Sequence, residues 1–281
     1  MRAQVAYVIS NDPLVIIGSF GTYRAVSQLK RPLTFIYHNP GWIRFRSLPR
    51  YYSLLKTLGK NVRIHFVTNE PSERIWLALL GQQSTCLGHN LHLRDEFFVP
   101  GTEDKIYDAV YAAVMAPYKR IHLASAIEKL FVLTYSHNPP PWKIDDFDSR
   151  LRHARNNSEF LSKEAVRKIY QQSRVGLALS KSEGAMFSCG EYLLCGLPVV
   201  TTKNRGGRNR YLDRDNSTTV ESNPRSVLDA VNRYRVAPPS ESVIRHSVLQ
   251  KISCDRAKYL SLLSRLEPSL SPHLTHEGIW G

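Results

Sequence analysis

Residues 176–200 read GLALSKSEGAMFSCGEYLLCGLPVV, and the fold turns on this stretch. Val175 to Leu179 is a short apolar run with a glycine in it, the pattern of a buried strand. Ser180 to Ala185 is polar and carries Glu183-Gly184, a loop leaving the carboxyl end of that strand. Phe187 to Cys195 places Phe187, Tyr192, Leu194 and Cys195 at helical spacing. Gly196 ends this helix, and Pro198 cannot continue it. Val199-Val200-Thr201-Thr202 is β-branched, the next strand. Strand, loop, helix, turn and strand in this order predict a parallel α/β sheet.

Two carboxylates frame the unit, Glu183 in the loop and Glu191 in the first turns of the helix. Ligands of open α/β sheets bind at this edge, and free N–H groups at a helix start hold phosphate. A carboxylate on each side of such an anion site is placed to take sugar hydroxyls. Plainer readings stand beside this one. With Ser188 as N-cap, Glu191 is the N3 partner of a capping box, and Glu183 is a solvated loop residue.

The string E-G-A-M-F-S-C-G-E followed by C-G-L-P-V-V resembles the Glu-x7-Glu signature of the retaining GT-B glycosyltransferases of family 4. The resemblance implies two Rossmann-like parallel-sheet domains facing across a cleft. It implies that Glu183 sits by the donor sugar and Glu191 by the nucleoside ribose. It places the phosphates over Gly184, Ala185, Met186, Phe187 and Ser188. Gly206 and Gly207 match the paired glycine that follows the second strand in the family. The family often has a glutamate after that pair. Arginine and asparagine stand here instead, as if for a more anionic ligand.

Outward from this unit, residues 101–240 are expected to form the nucleotide-sugar domain. Lys105 to Val114 reads as strand, then Ala116-Pro117-Tyr118-Lys119-Arg120, then a helical IHLASAIEKL and a strand from Leu130 to Thr134. By resemblance, Lys119 and Arg120 reach the donor diphosphate; the alternative is a solvent-facing pair that a helix start disfavours. Asp145 to Asn157 is charged and expected to be exposed, and Ser162 opens a helix. Residues 1–100 read as a short acceptor-side domain with strands near Met1–Ser10, Val15–Phe20, Leu33–Tyr37 and Val62–Val67. Strand-end loops carry the acceptor-side candidates His38, Asn69, His89 and Asn90, although His and Asn also simply favour turns. Residues 241–281 contain a long helix, Ser242 to Leu266, expected to cross back to the first domain, and a loose tail.

The chain has 281 residues, 42% hydrophobic, with a formal net charge of +14. That charge favours anionic partners: nucleic acid, an anionic membrane surface or a phosphorylated substrate. No nucleic-acid module with aromatic platforms is present, so no nucleic acid is expected. Four scattered cysteines lack metal-ligand spacing and read as reduced thiols. The N-terminus reads as a strand rather than a signal peptide, so a cytoplasmic protein, with possible peripheral contact at the inner membrane face, is expected.

The expected activity is therefore that of a metal-independent, retaining transferase of polysaccharide or glycoconjugate biosynthesis. Its co-substrate is a nucleotide-diphosphate sugar, UDP- or GDP-linked, with no other cofactor. Its acceptor is a carbohydrate, a lipid-linked molecule or a small molecule. The competing reading is a catalytically inactive GT-B-like nucleotide- or glycan-binding protein, which the short N-terminal domain favours.

Overall fold

A computed structural model describes residues 7–280 except 20, 40, 137, 274 and 276–278. The strand of the first ten residues is described from Tyr7; residues 1–6, and Phe20 at the end of the strand expected at Val15–Phe20, lie outside the described residues.

The first half forms a five-stranded sheet. Its elements are β1 (Tyr7–Asn11), β2 (Leu14–Gly18), α1 (Tyr23–Gln28), β3 (Leu33–His38), α2 (Leu48–Thr57), β4 (Val62–Thr68), α3 (Pro71–Ala78) and β5 (Ser84–Cys86). The strand order is sequential, β1-β2-β3-β4-β5, with β1 antiparallel to β2 and the rest parallel. Right-handed crossovers in an unbroken order put every connecting helix on one face. Alternation along the strands shows the result. Leu14, Ile16, Leu33, Phe35, Tyr37 and Phe66 pack with Val26 of α1, Tyr51 and Leu54 of α2 and Leu77 of α3. Val15, Ile17, Ile36 and Val67 point the other way, where among the described residues no α-helix of this half packs.

The second half forms a six-stranded sheet built from β6 (Tyr107–Ala112), β7 (Leu130–Leu133), α4 (Ile144–Phe147), β8 (Arg155–Asn156), α5 (Lys163–Gln171), β9 (Ser173–Ala178), α6 (Phe187–Leu194), β10 (Val199–Thr202), β11 (Ser217–Val220) and α7 (Pro224–Val236). Its order is β11-β10-β9-β6-β7-β8, so the winding reverses between β6 and β9. Helices cover both faces, and the core is continuous.

The last helix, α8 (Glu241–Leu266), joins the halves. Ile244, Val248 and Ile252 enter the core of the second sheet. About two turns later Tyr259, Leu262, Leu263 and Leu266 cover the bare face of the first sheet. Two buried charges mark the crossing. Asp255 accepts two bonds from Arg210, both 2.7 Å. Arg256 donates to the Leu91 and Leu93 carbonyls and to Asp95.

Several expectations change. IHLASAIEKL makes a 3-10 turn at Ile121–Ala124 instead of a helix. The segment after Asp145 contributes α4 and the edge strand β8, with Ile144 and Leu151 buried. The tail is not simply loose: Pro268–His273 is a 3-10 helix, and Trp280 lies against Tyr259 and the Arg256 guanidinium.

Candidate active site

The switch point between β6 and β9 is where an open sheet leaves a crevice at its carboxyl edge. Both connections that leave it carry charge. After β6, the chain makes a 3-10 turn at Pro117–Lys119, and the Tyr111 hydroxyl donates to the Lys119 carbonyl at 2.6 Å. After β9, the loop is tied back by Glu183 N–H to the Arg205 carbonyl and by Lys181 N–H to the Tyr118 carbonyl. These backbone bonds bring Lys119 Nζ to 2.5 Å from Glu183 Oε1. Ser180 Oγ donates to Glu183 Oε2 at 2.6 Å. Lys119 is 1% exposed, so its ammonium is buried against Glu183 at the carboxyl edge of the sheet.

The helix α6 begins beside this pair. Its N-cap is Met186, and no side chain caps it, so its first N–H groups are offered rather than satisfied from within. The cap position also removes the capping-box alternative: Glu191 is the fifth residue of the helix, not the third. Glu191 accepts instead from the Tyr170 hydroxyl at 3.0 Å, and burial pushes its carboxyl up to about 7.

Arg120 departs from its expected place. It adopts a left-handed conformation, φ 52°, and donates to the Leu179 carbonyl at 2.7 Å, Thr202 Oγ1 at 2.7 Å and Ser222 Oγ at 3.0 Å. It fastens the ends of β9 and β10 rather than pointing at an anion. Arg208 does the same from the other side, fully buried. Of the arginine-rich loop, then, Arg208 serves the sheet edge and Arg210 serves Asp255, which leaves Arg205 exposed.

The glycines allow close approach, as expected, but their neighbour is the chain's own first half. A side chain at Gly184 would meet the Gly41 carbonyl oxygen at 1.8 Å. One at Gly206, whose φ is +109°, would meet the Glu183 carbonyl oxygen at 2.3 Å and the Trp42 ring at 3.3 Å. Gly207 abuts Asn69. The two halves therefore touch at the mouth of the site.

The acceptor-side candidates split. His89 and Asn90 stand on α6: the His89 ring meets Phe187 edge-on at 5.0 Å, and Asn90 Nδ2 donates to the Met186 carbonyl at 3.3 Å. His38 and Asn69 do not line a free surface. His38 is buried, and its Nε2 pairs with Tyr259 Oη at 2.9 Å. Asn69 donates to the Asn39 and Gly41 carbonyls and accepts from His89 N–H at 2.8 Å. It shapes the loops that carry other residues. Beneath it Glu73, fully buried, holds Asn39, and burial raises its carboxyl to about 7. Ser180, Arg208 and Glu73 were missed by sequence reasoning. The only signal for the first two was polarity where a strand ends.

Against known proteins, residues 99–234, a little under half of the chain, match the family model described as glycosyl transferases group 1. This half is related to the group 1 glycosyl transferases. No curated protein sequence matches the chain. Among solved structures, Anabaena HepE in complex with UDP superposes with a TM-score of 0.63 at 11% identity, over 89% of this chain and 78% of that one. Sucrose-phosphate synthase from Thermosynechococcus elongatus gives 0.65 at 13%, over 91% and 74%. A glycosyltransferase from Rickettsia africae gives 0.58 at 14%, over 89% and 76%. At such identities the likeness is one of fold, and the fold is GT-B: two sheets of Rossmann type facing across a cleft. No helix among the described residues is long and apolar enough to cross a membrane.

Proposed function

We propose that the chain is a retaining glycosyltransferase that uses a nucleotide-diphosphate sugar, and that the Lys119–Glu183 pair beside the start of α6 is its reaction centre. That pair is the observation that carries the reading. The diphosphate lies over Gly184 to Ser188, where Phe187 and Ser188 N–H groups and the Lys119 ammonium share its charge. A cation supplied by a side chain does the work a metal would otherwise do. Glu191 takes the ribose hydroxyls, and Glu183 takes hydroxyls of the sugar. As the bond from the anomeric carbon to the diphosphate breaks, its electron pair stays on the leaving phosphate. The acceptor hydroxyl attacks the same face, and its proton passes to a departing phosphate oxygen. Charge grows on the diphosphate, so donors already aimed there stabilise the transition state more than the ground state. HepE crystallises with UDP and with UDP-glucose, which supports a UDP-sugar for this chain as well.

His89, half-buried against Phe187, is the first candidate to meet the acceptor, with the buried Asn90 behind it on the Met186 carbonyl. Exposed Phe45, Tyr52, Ile75 and Leu79 occur in the first half among Arg44, Arg46, Arg50 and Lys56, a composition that suits an anionic membrane and a lipid-linked acceptor. The contact between Gly184 and Gly41 favours a second reading, a closed GT-B-like protein that binds a nucleotide or glycan without turnover. Release of free nucleotide from a panel of nucleotide sugars, with EDTA present, separates the two. Release from one sugar nucleotide is expected. Thermal stabilisation by a nucleotide with no release from any donor, with or without acceptors, selects the binder.

A further inference from the structure

Arg208 is 1% exposed, and among the described residues no carboxylate forms an ion pair with it. Its five N–H groups go elsewhere. Nη1 donates to the Ser180 carbonyl at 2.6 Å and to Ser180 Oγ at 3.0 Å. Nη2 donates to Thr201 Oγ1 and to the Thr202 carbonyl, both at 2.6 Å. Nε donates to Asn209 Oδ1 at 3.0 Å. A buried guanidinium without a counter-charge is expensive, and strand ends can be tied by neutral groups. The feature that needs an arginine lies one hydroxyl further on. A serine hydroxyl has one proton to give, and arginine can only donate. With Arg208 occupying a lone pair of Ser180 Oγ, the Ser180 proton is directed to Glu183 Oε2, 2.6 Å away. Lys119 holds the other oxygen at 2.5 Å. Both oxygens of Glu183 are thereby fixed as acceptors and its plane is set.

We propose that Arg208 is a positioning residue for Glu183, acting through the Ser180 hydroxyl and touching neither donor nor acceptor. The proposal rests on the transferase reading for its kinetic consequence but not for its geometry. It predicts that Ser180→Ala lowers kcat for the donor sugar about tenfold, the scale of losing one hydrogen bond to a charged group. KM for the donor and affinity for free nucleotide should move less than about twofold, because Glu183 faces the sugar. Arg208→Met should show the same split, and the Ser180→Ala/Arg208→Met double variant should be no slower than the slower single. A merely structural arginine gives losses that add, or a Ser180→Ala enzyme as fast as the parent; either overturns the proposal. If Arg208→Met does not fold, Ser180→Ala still decides. A crystal structure of Ser180→Ala supplies an arm that needs no turnover: the Glu183 carboxylate should rotate about Lys119 while Arg208 stays on the Thr202 carbonyl. An unmoved carboxylate overturns the proposal. If the parent releases nucleotide from no donor, the transferase reading fails by itself, and this structure alone judges the inference.

Discussion

The two sheets end differently at their carboxyl edges. The edge of the second sheet is charged: Lys119, Glu183 and Ser180 stand at the switch point, and α6 starts there without a side-chain cap. The equivalent edge of the first sheet is filled by its own side chains. Asn39 meets Tyr51, Glu73 and Gly41; Asn69 meets Asn39, Gly41 and His89; His38 meets Tyr259. The difference follows from winding. A reversed strand order leaves a crevice, whereas a sequential order leaves none and leaves one face bare besides. The second half thus has helices on both faces and a continuous core of its own. The first half is a wall whose remaining layer is the end of α8.

The most severe way to break this comparison is to stop the chain after Cys254. Tyr259, Leu262, Leu263 and Leu266 would be lost, and Val15, Ile17, Ile36 and Val67 would face water. Each fully buried side chain of this kind is worth about 1.5–3 kcal/mol, so the loss exceeds what a small sheet can bear. Hydrogen exchange should show β2, β3 and β4 unprotected while β6, β9 and β10 stay protected, since Ile244, Val248 and Ile252 remain in place. Equal protection of both sheets would refute the division.

Next in size are Lys119→Ala and Glu183→Gln, tested on donor turnover. Under the proposed function each removes a group at the reacting end of the donor, and kcat should fall about 10²–10³-fold, the range found when a charge-stabilising group is removed. Arg120→Ala, by contrast, should act mainly on stability, because its guanidinium is spent on Leu179, Thr202 and Ser222. A melting temperature that is unchanged beside a large loss of kcat would return Arg120 to the diphosphate.

These outcomes bear on how much was legible. The stretch from Val175 to Thr202 was read nearly residue for residue, because strand, loop, helix and turn each carry a local signal there. Lys119 and Glu183 were legible as a pair only through family resemblance; nothing in spacing alone brings residues 64 apart in sequence together. Arg120, Gly184 and Gly206 were expected against the donor, and in the structure each has close neighbours within the chain. Side-chain chemistry reports the kind of neighbour needed and is silent on whether a ligand or another loop supplies it. The last helix was expected to cross back to the first half, but the residues it covers there were not legible. Alternation in LTFIY shows that both faces are apolar, while the covering helix lies more than 200 residues away. The capping box at Ser188 failed because the helix starts one residue before it, at Phe187.

A third test uses acid. Burial lowers His38 well below its ordinary range, His65 and His89 to about 4, and His92 to about 3; all four belong to the first sheet and its edge loops. A histidine with a lowered native pKa binds protons more readily when unfolded, so stability falls as pH drops from about 6.5 toward 4. Glu73 runs the other way: raised to about 7, it favours the native state as pH falls from 7 to about 4.5, and it offsets one histidine. In the second sheet Glu191, also near 7, gains in the same sense. Three of the four histidines are left without an offset, so the net effect should be a loss of stability in the first half as pH falls from 7 to 5. Exchange measured at pH 7 and 5 should therefore loosen β3 and β4 before β9 and β10, and the reverse order would contradict the burial of this histidine group.

The smallest effect expected is at Glu191. Its carboxyl accepts from Tyr170 and lies near 7, so at neutral pH it is only partly charged. Under the proposed function its carboxylate would accept ribose hydroxyls through charge-assisted bonds, worth about 1.5–3 kcal/mol against about 1 for neutral ones. Glu191→Gln keeps a neutral acceptor and removes the charge. The parent's advantage over this variant should therefore grow as pH rises through 7 and fade below it. Titration calorimetry with free nucleoside diphosphate should give about tenfold weaker binding for the variant at pH 8 and less than about threefold at pH 6. The melting temperature of the free protein should hardly change, because glutamine can still accept from Tyr170 and no helix cap is lost at the fifth position. A loss that is the same at both pH values would mean that Glu191 acts through shape rather than charge. No loss at either would leave Tyr170 as its only partner and move the nucleoside away from α6.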